Sequence, residues 1–182
     1  KQVPDTTNIT IDPKTGTLKR EGVPSIMNPE DKVALEQALR IKEVNKAEIT
    51  SLTMGPPQAE AILREAVSMG ADKAILLSDR KFAGADTIAT SYALATAINK
   101  IADYDLIICG RQAIDGDTAQ IGPQVAEFLD LPQITYAQKL QLSEDSVTVQ
   151  RATEQGYDIV EAKLPALVTC IKDLAEPRYP SL

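Results

Sequence analysis

Apolar and polar residues follow two rhythms along this chain. As far as Leu131, short apolar runs lead through polar turns into segments whose apolar residues recur every three or four positions, the pattern of buried strands alternating with amphipathic helices. Met27-Asn28-Pro29-Glu30-Asp31 combines a capping residue, proline at the first helical position and first-turn acids ahead of Ala34, Leu35, Ala38, Leu39 and Ile41. It predicts a helix from about Pro29 to Glu43. Glu48 to Met54 reads as a strand halted by Gly55-Pro56-Pro57, and Ala59, Ile62, Leu63, Ala66 and Val67 then mark a helix that stops at Gly70. Lys73 to Ser78 and Asp105 to Cys109 repeat the unit. Their helices carry Leu94, Ala95, Ile98 and Ile101, then Ile121, Val125, Phe128 and Leu129, on the inner side.

Beyond Leu131 the period changes to two. Ile134-Thr-Tyr136, Lys139 to Leu142, Val147 to Gln150 and Tyr157 to Val160 predict antiparallel strands forming an arm or sheet extension across about 133–163, and Leu164 to Cys170 returns as a buried strand. Asn8 to Ile11 and Thr17 to Lys19, around Asp12-Pro13 and Gly16, predict a hairpin or β-arm. Strand–helix alternation implies parallel strands with right-handed crossovers and helices on both faces. The fold class expected is therefore α/β, a doubly wound parallel sheet with an antiparallel β arm, in a single domain spanning 1–182.

In such sheets ligands bind outside the carboxyl ends of the strands. Met54-Gly55, Ser78 to Thr87 and Gly110 to Gln120 leave strands at that end and are expected to surround one pocket. The last loop carries the most candidate chemistry. It leads into a helix whose first-turn amides lack internal partners and lie at the positive end of the macrodipole, a place suited to phosphate. Gly110 and Gly116 are expected to permit close approach or positive φ there, and Asp115, Asp117, Thr118 and Gln120 offer short polar groups to a cap or a ribose. A plain glycine turn with Asp117 as helix cap fits the same local features. Arg80 and Phe82 could set a guanidinium and a ring against a flat ligand, or be an exposed arginine and a loop plug. Asp86-Thr87 alone is a helix cap.

Composition narrows the chemistry. With 182 residues, 43% hydrophobic and 25% charged, the chain has the makeup of an ordinary globular domain. Without a signal pattern or a membrane-length apolar run, it is expected in the cytoplasm. A net charge of −7 gives no basic footprint for nucleic acid. Zero histidines exclude His-based triads and leave no usual zinc ligand set, while Cys109 and Cys170 each lie in an apolar run that suits a buried structural thiol. Asp115-Gly116-Asp117 is no calcium loop, because Ala119 and Gln120 stand where an oxygen ligand and the obligatory glycine belong. No metal site is expected. GxGxxG and Walker A patterns are missing, so any redox chemistry falls to a cofactor.

Lys1-Gln-Val-Pro-Asp-Thr6, Met27-Asn-Pro29, Gly70-Ala-Asp72, Gln112 to Gly122, Leu164-Pro-Ala166 and Glu176-Pro-Arg-Tyr179 together, in this order, resemble the β subunit of electron-transfer flavoproteins over essentially the whole chain. The resemblance implies an adenine-nucleotide-binding α/β fold of the kind shared with universal-stress proteins, and a heterodimer with an α subunit. In one branch of the family the β subunit holds a structural AMP. In the other it holds a second FAD that takes electrons from NADH and bifurcates them between a low-potential ferredoxin or flavodoxin and the α-subunit FAD. Ser78 to Thr87 and Ile114 to Gln120 look like the bifurcating branch.

Carried over by position, Asn28, Met54 and Gly55 would surround the adenosine, and Gly116, Asp117, Thr118, Ala119 and Gln120 would form the phosphate turn. Asp79, Arg80 and Phe82 would face the isoalloxazine, with Arg80 stabilising negative charge on the reduced ring as the one catalytic candidate, and Gln112, Asp86 and Thr87 are counted among the cofactor-binding residues. The family places an apolar strand before the Lys1 motif and, after Pro-Arg-Tyr, a loop that docks acyl-CoA dehydrogenase-type partners and a long arm. Leu182 matches the partner-contacting leucine, and the first strand and the arm are expected to lie outside these 182 residues. A stand-alone nucleotide-binding regulator would share the sheet and the phosphate turn, but needs neither the arm strands nor the Pro-Arg-Tyr tail.

Overall fold

The computed structural model describes residues 1–5 and 24–181; the expected 8–19 hairpin and Leu182 lie outside the described residues. Strand β1 (Gln2–Pro4) pairs antiparallel with β2 (Ser25–Met27), which leads into α1 (Pro29–Asn45). Strand β3 (Thr50–Met54), helix α2 (Glu60–Met69) and strand β4 (Lys73–Leu77) form a parallel unit in register Thr50 with Lys73 through Met54 with Leu77. Helix α3 (Thr87–Ile101), β5 (Leu106–Gly110) and α4 (Ile121–Phe128) repeat the alternation. These elements match the sequence expectation closely, because each is written in local periodicity and stop signals.

The antiparallel region is a continuation of the sheet. Strands β6 (Gln133–Leu142), β7 (Ser146–Thr153), β8 (Gly156–Lys163) and β9 (Ala166–Cys170) join β5 in the order β5-β9-β6-β7-β8. Neighbours β5, β9 and β6 run parallel, while β6-β7 and β7-β8 are antiparallel. The two apolar runs 134–136 and 139–142 are one strand, kinked by a bulge between Ala137 and Lys139 and by Tyr136 at φ 59°. Among the described residues the parallel strands form two hydrogen-bonded groups, β3-β4 and the five-stranded sheet, where one continuous parallel sheet was expected.

Alternation along β5 and β9 places helices on both faces. Val33 and Ala34 of α1 pack with Leu106, Ile108, Ala166, Val168 and Cys170. From the other side, Val125 and Ala126 of α4 pack with Ile107, Cys109 and Leu167. Strand β9 is buried along its whole length. A third cluster joins α1 to α2 through Leu35, Leu39, Ile62, Ala66 and Met69. Phe128, expected on the inner side of α4, is 42% exposed and meets Tyr92 of α3 edge-on at 5.6 Å, while Ile121, Val125 and Leu129 pack with the sheet-facing cluster. Among the described residues no helix is long and apolar enough to cross a membrane.

Candidate functional site

The carboxyl ends of β3, β4 and β5 lead into the three loops singled out above. Gly55 extends the β3-β4 ladder by donating its N–H to Leu77 O (3.0 Å). A bridge from the chain start links the first and third loops: Gln2 Nε2 donates to Gln58 O (3.2 Å), and Lys1 Nζ pairs with Asp115 Oδ1 (2.6 Å).

The 110–114 segment is held by the start of α1, through residues far away in sequence. Asn28, fully buried, occupies the cap position without capping the helix. Its Nδ2 donates to Gln112 O (2.9 Å), and its Oδ1 accepts from Ile114 N (3.1 Å). Glu30 accepts from Gln112 N (3.0 Å) and pairs with Arg111 Nη2 (3.1 Å), while Asp31 Oδ1 accepts from Gly110 N (2.9 Å). Gly110 is needed for this approach, because a Cβ there would lie 2.8 Å from the Asp31 backbone nitrogen. Arg111 also stacks over the Tyr136 ring, 5.7 Å from its centroid. Glu30, Asp31 and Arg111 escaped the sequence reading, in which the acids served only as first-turn complements to the α1 dipole.

In the 116–120 turn the geometry differs from expectation in two ways. Gly116 lies in open space apart from Lys1 Nζ at 4.0 Å and does not have positive φ; the left-handed residues are Asp117 (φ 51°) and Ala119 (φ 53°). Two non-glycine residues in that region within one short turn store strain, which clusters at ligand-binding positions. Asp117 is also not the cap of α4. Its Oδ1 accepts from Gln112 Nε2, the cap position belongs to Gln120, and no side chain caps the helix. The first-turn amides of α4 therefore keep their donors free of side-chain caps, as an anion site requires.

The second loop meets this turn through Thr87, whose hydroxyl donates to Gln120 Oε1 (2.9 Å) and accepts from Gln124 Nε2 (3.3 Å). Asp86 caps α3 by accepting from Ala89 N (2.8 Å). Asp79 accepts from Lys81 N (2.9 Å) and caps the 3₁₀ turn Arg80–Phe82. Phe82 is half-buried, and Arg80 is exposed and forms no ion pair among the described residues. The structure thus joins Asn28, Gln112 and Asp117 in one hydrogen-bonded group and Thr87 and Gln120 in another, with no bond between the two groups among the described residues. Thr118 is exposed on the same turn, whereas Met54, Gly55, Asp79, Arg80, Phe82 and Asp86, at the ends of β3 and in the loop after β4, make no side-chain bond to either group. A groove of about 870 Å³ lies apart from these loops, between Ile26, Met27 and Val33 on one side and Leu174, Ala175 and Pro177 on the other.

Neither cysteine is poised for chemistry. Burial pushes the Cys109 thiol up to about 12, with the charge of Asp31 adding to it, and burial raises Cys170 as well, helped by Cys109, Asp31 and Glu30. Among the described residues no cluster of acidic or cysteine side chains could hold a metal ion.

Comparison with known proteins agrees with this architecture. Residues 15–181 match the family described as electron transfer flavoprotein domain. The chain is 60% identical over its full length to the electron transfer flavoprotein subunit beta of Thermoanaerobacterium thermosaccharolyticum, covering 70% of that protein. It is 55% identical over its full length to the caffeyl-CoA reductase-Etf complex subunit CarD of Acetobacterium woodii, covering 70% of it. Over 94% of the chain it is 50% identical to protein FixA of Sinorhizobium fredii, covering 63% of that protein. With the α/β sheet, its antiparallel extension and these relatives in agreement, this chain belongs to the electron transfer flavoprotein family, beside its β subunits.

Proposed function

We propose that this chain is the β subunit of an electron-bifurcating electron transfer flavoprotein, binding FAD at the 110–120 loop and receiving electrons from NADH. Its electrons pass to a low-potential ferredoxin or flavodoxin and to the FAD of an α subunit. The observation that carries this reading is the start of α4, which no side chain caps and which follows a turn strained at Asp117 and Ala119. This donor set fits a nucleotide diphosphate. Its backbone N–H groups suit anionic oxygens, and no basic side chain is needed within the turn.

When bound, FAD supplies a two-electron acceptor that can release electrons singly. The chain's own residues bind and orient it. Asn28 and Gln112 keep the loop closed against α1, Gly116 to Gln120 receive the phosphates, and Met54 with Gly55 flank the adenosine. Asp79 and Asp86 fix the ends of the second loop, from which Phe82 packs the ring and Arg80 offsets its negative charge. Arg80 suits this role because its guanidinium is not spent on a carboxylate among the described residues.

The name of one relative supports the wider assembly. CarD is named as a subunit of a caffeyl-CoA reductase-Etf complex, and by analogy this chain would serve an acyl-CoA dehydrogenase-type partner. Acid release of nucleotides from the purified α/β complex, followed by chromatographic quantification, tests the reading. Two FAD per α/β pair without AMP is expected. One FAD with one AMP would overturn it and leave this subunit a nucleotide-stabilised scaffold.

A further inference from the structure

Behind the phosphate turn, four polar side chains form a single directed relay. Ser91 on α3 is fully buried, and its hydroxyl donates to Gln124 Oε1 (2.9 Å). Gln124 Nε2 donates to Thr87 Oγ1 (3.3 Å), and the Thr87 hydroxyl in turn donates to Gln120 Oε1 (2.9 Å). A carbonyl oxygen can only accept and an amide nitrogen only donate, so with the Ser91 hydroxyl as donor each bond in the series follows in sense from the one before. At the far end the Gln120 carbonyl is consumed. Its amide nitrogen, unengaged among the described residues, is left as the exposed terminus beside the uncapped start of α4.

We infer that Ser91 and Gln124 are positioning residues that set the polarity of the Gln120 amide, so that it presents N–H donors, not its carbonyl, to the anionic part of the ligand. This rests on the nucleotide reading above. An unrestrained glutamine presents either end of its amide with little preference, and an outward carbonyl would repel a phosphate oxygen. With Ser91 donating, the relay biases that choice before the ligand arrives, which is preorganisation by residues that never touch it. It also gives a buried serine hydroxyl the partner that burial demands.

The test is calorimetric titration of the nucleotide-stripped full chain with AMP and, separately, with adenosine, which has the same base and ribose but no phosphate. Gln120→Met is expected to weaken AMP about tenfold, the loss of a hydrogen bond to a charged group, and to leave adenosine within about twofold. Gln124→Met, one side chain removed from the ligand, is expected to weaken AMP about threefold to fivefold with the same indifference to adenosine. In the Gln120→Met background it should add nothing, because its effect passes through Gln120. Ser91→Ala deletes a single buried oxygen and provides the same readout should Gln124→Met fold poorly.

A Gln124 or Ser91 effect that persists in the Gln120→Met background, that falls equally on adenosine, or that is nil for AMP overturns the inference while leaving the nucleotide site intact. A wild-type chain that binds neither AMP nor FAD overturns the nucleotide reading itself, and the inference with it.

Discussion

Gly122, in the first turn of α4, is the point where that helix touches the sheet. A Cβ placed there would overlap Thr169 Cγ2 on β9 and come within 3.2 Å of Cys109 Sγ and 3.6 Å of Leu167 Cδ2. Gly122→Ala therefore drives a methyl about 1 Å inside ordinary carbon–carbon contact. Thr169 is 1% exposed and its hydroxyl accepts from Tyr136 N, so neither the threonine nor the strand can yield easily. Overpacking costs about 1–3 kcal/mol, and against these unyielding neighbours about 2–3, while replacing glycine by alanine in a helix returns about 0.5–1, leaving a net loss of about 1–2.5 kcal/mol. For a chain of this size that is a fall in Tm of about 2–10 °C. The relief is specific: Thr169→Ser removes the obstructing methyl while keeping the hydroxyl. Alone, Thr169→Ser should cost about 1 kcal/mol for the small void, and the double variant should return to within about 0.5 kcal/mol of wild type. Urea unfolding of the four proteins measures the cycle. Additive losses in the double variant, or a Gly122→Ala protein as stable as wild type, would refute this account of how α4 is seated.

Asn28→Ala should destabilise the chain by about 2–3 kcal/mol, because it strands the Gln112 carbonyl and the Ile114 amide together, and hydrogen exchange at Ile114 should accelerate more than at strand β7. A second prediction concerns Glu36 of α1. Burial pushes its carboxyl up, but hydrogen bonds from Arg178 (N at 3.1 Å, Nε at 2.8 Å) and Arg40 (Nε at 3.0 Å) outweigh it and hold the carboxyl below its ordinary 4.5. The stabilisation is thus present above pH 4.5 and is lost as pH falls through the lower folded value, so Glu36→Gln should flatten the acid limb of the stability–pH curve below pH 4.5; an unchanged slope would count against it. Finally, a water-soluble disulfide reagent at pH 8 should leave both Cys109 and Cys170 unmodified over minutes in the native chain and titrate both in guanidinium, and rapid native labelling would contradict the burial argument.

Helix α1 was legible from five consecutive residues, and the alternation of strands and helices from apolar spacing alone, since both are local properties. The site was legible in part. The loop and the start of α4 follow from a strand–loop–helix junction, but the lack of a side-chain cap does not, since Asp117 as cap fits the same local features, and the partners that shape the loop come from 79 to 86 residues away, at Asn28, Glu30 and Asp31. No local rule distinguishes a capping asparagine from one whose amide is pulled away to bridge a distant loop. Glycines drew attention as carriers of positive φ, yet it is Asp117 and Ala119 that adopt it, Asp117 with its carboxylate bound to Gln112 of the same loop. Glu36 was equally silent: an acid within an amphipathic helix reads as solvated until Arg178, 142 residues on, arrives to bury it.

Strand β6 belongs to two ladders at once. Its first half is laced to β9 and its second half to β7, with Ala137 paired to both. In mechanical terms the β7–β8 hairpin is an outrigger without a hinge at its root. A load applied at its tip meets hydrogen bonds in shear along β6 and is delivered to β9, the strand on which α4 is seated. A protein gripping that tip would hold a stiff lever whose short end is α4.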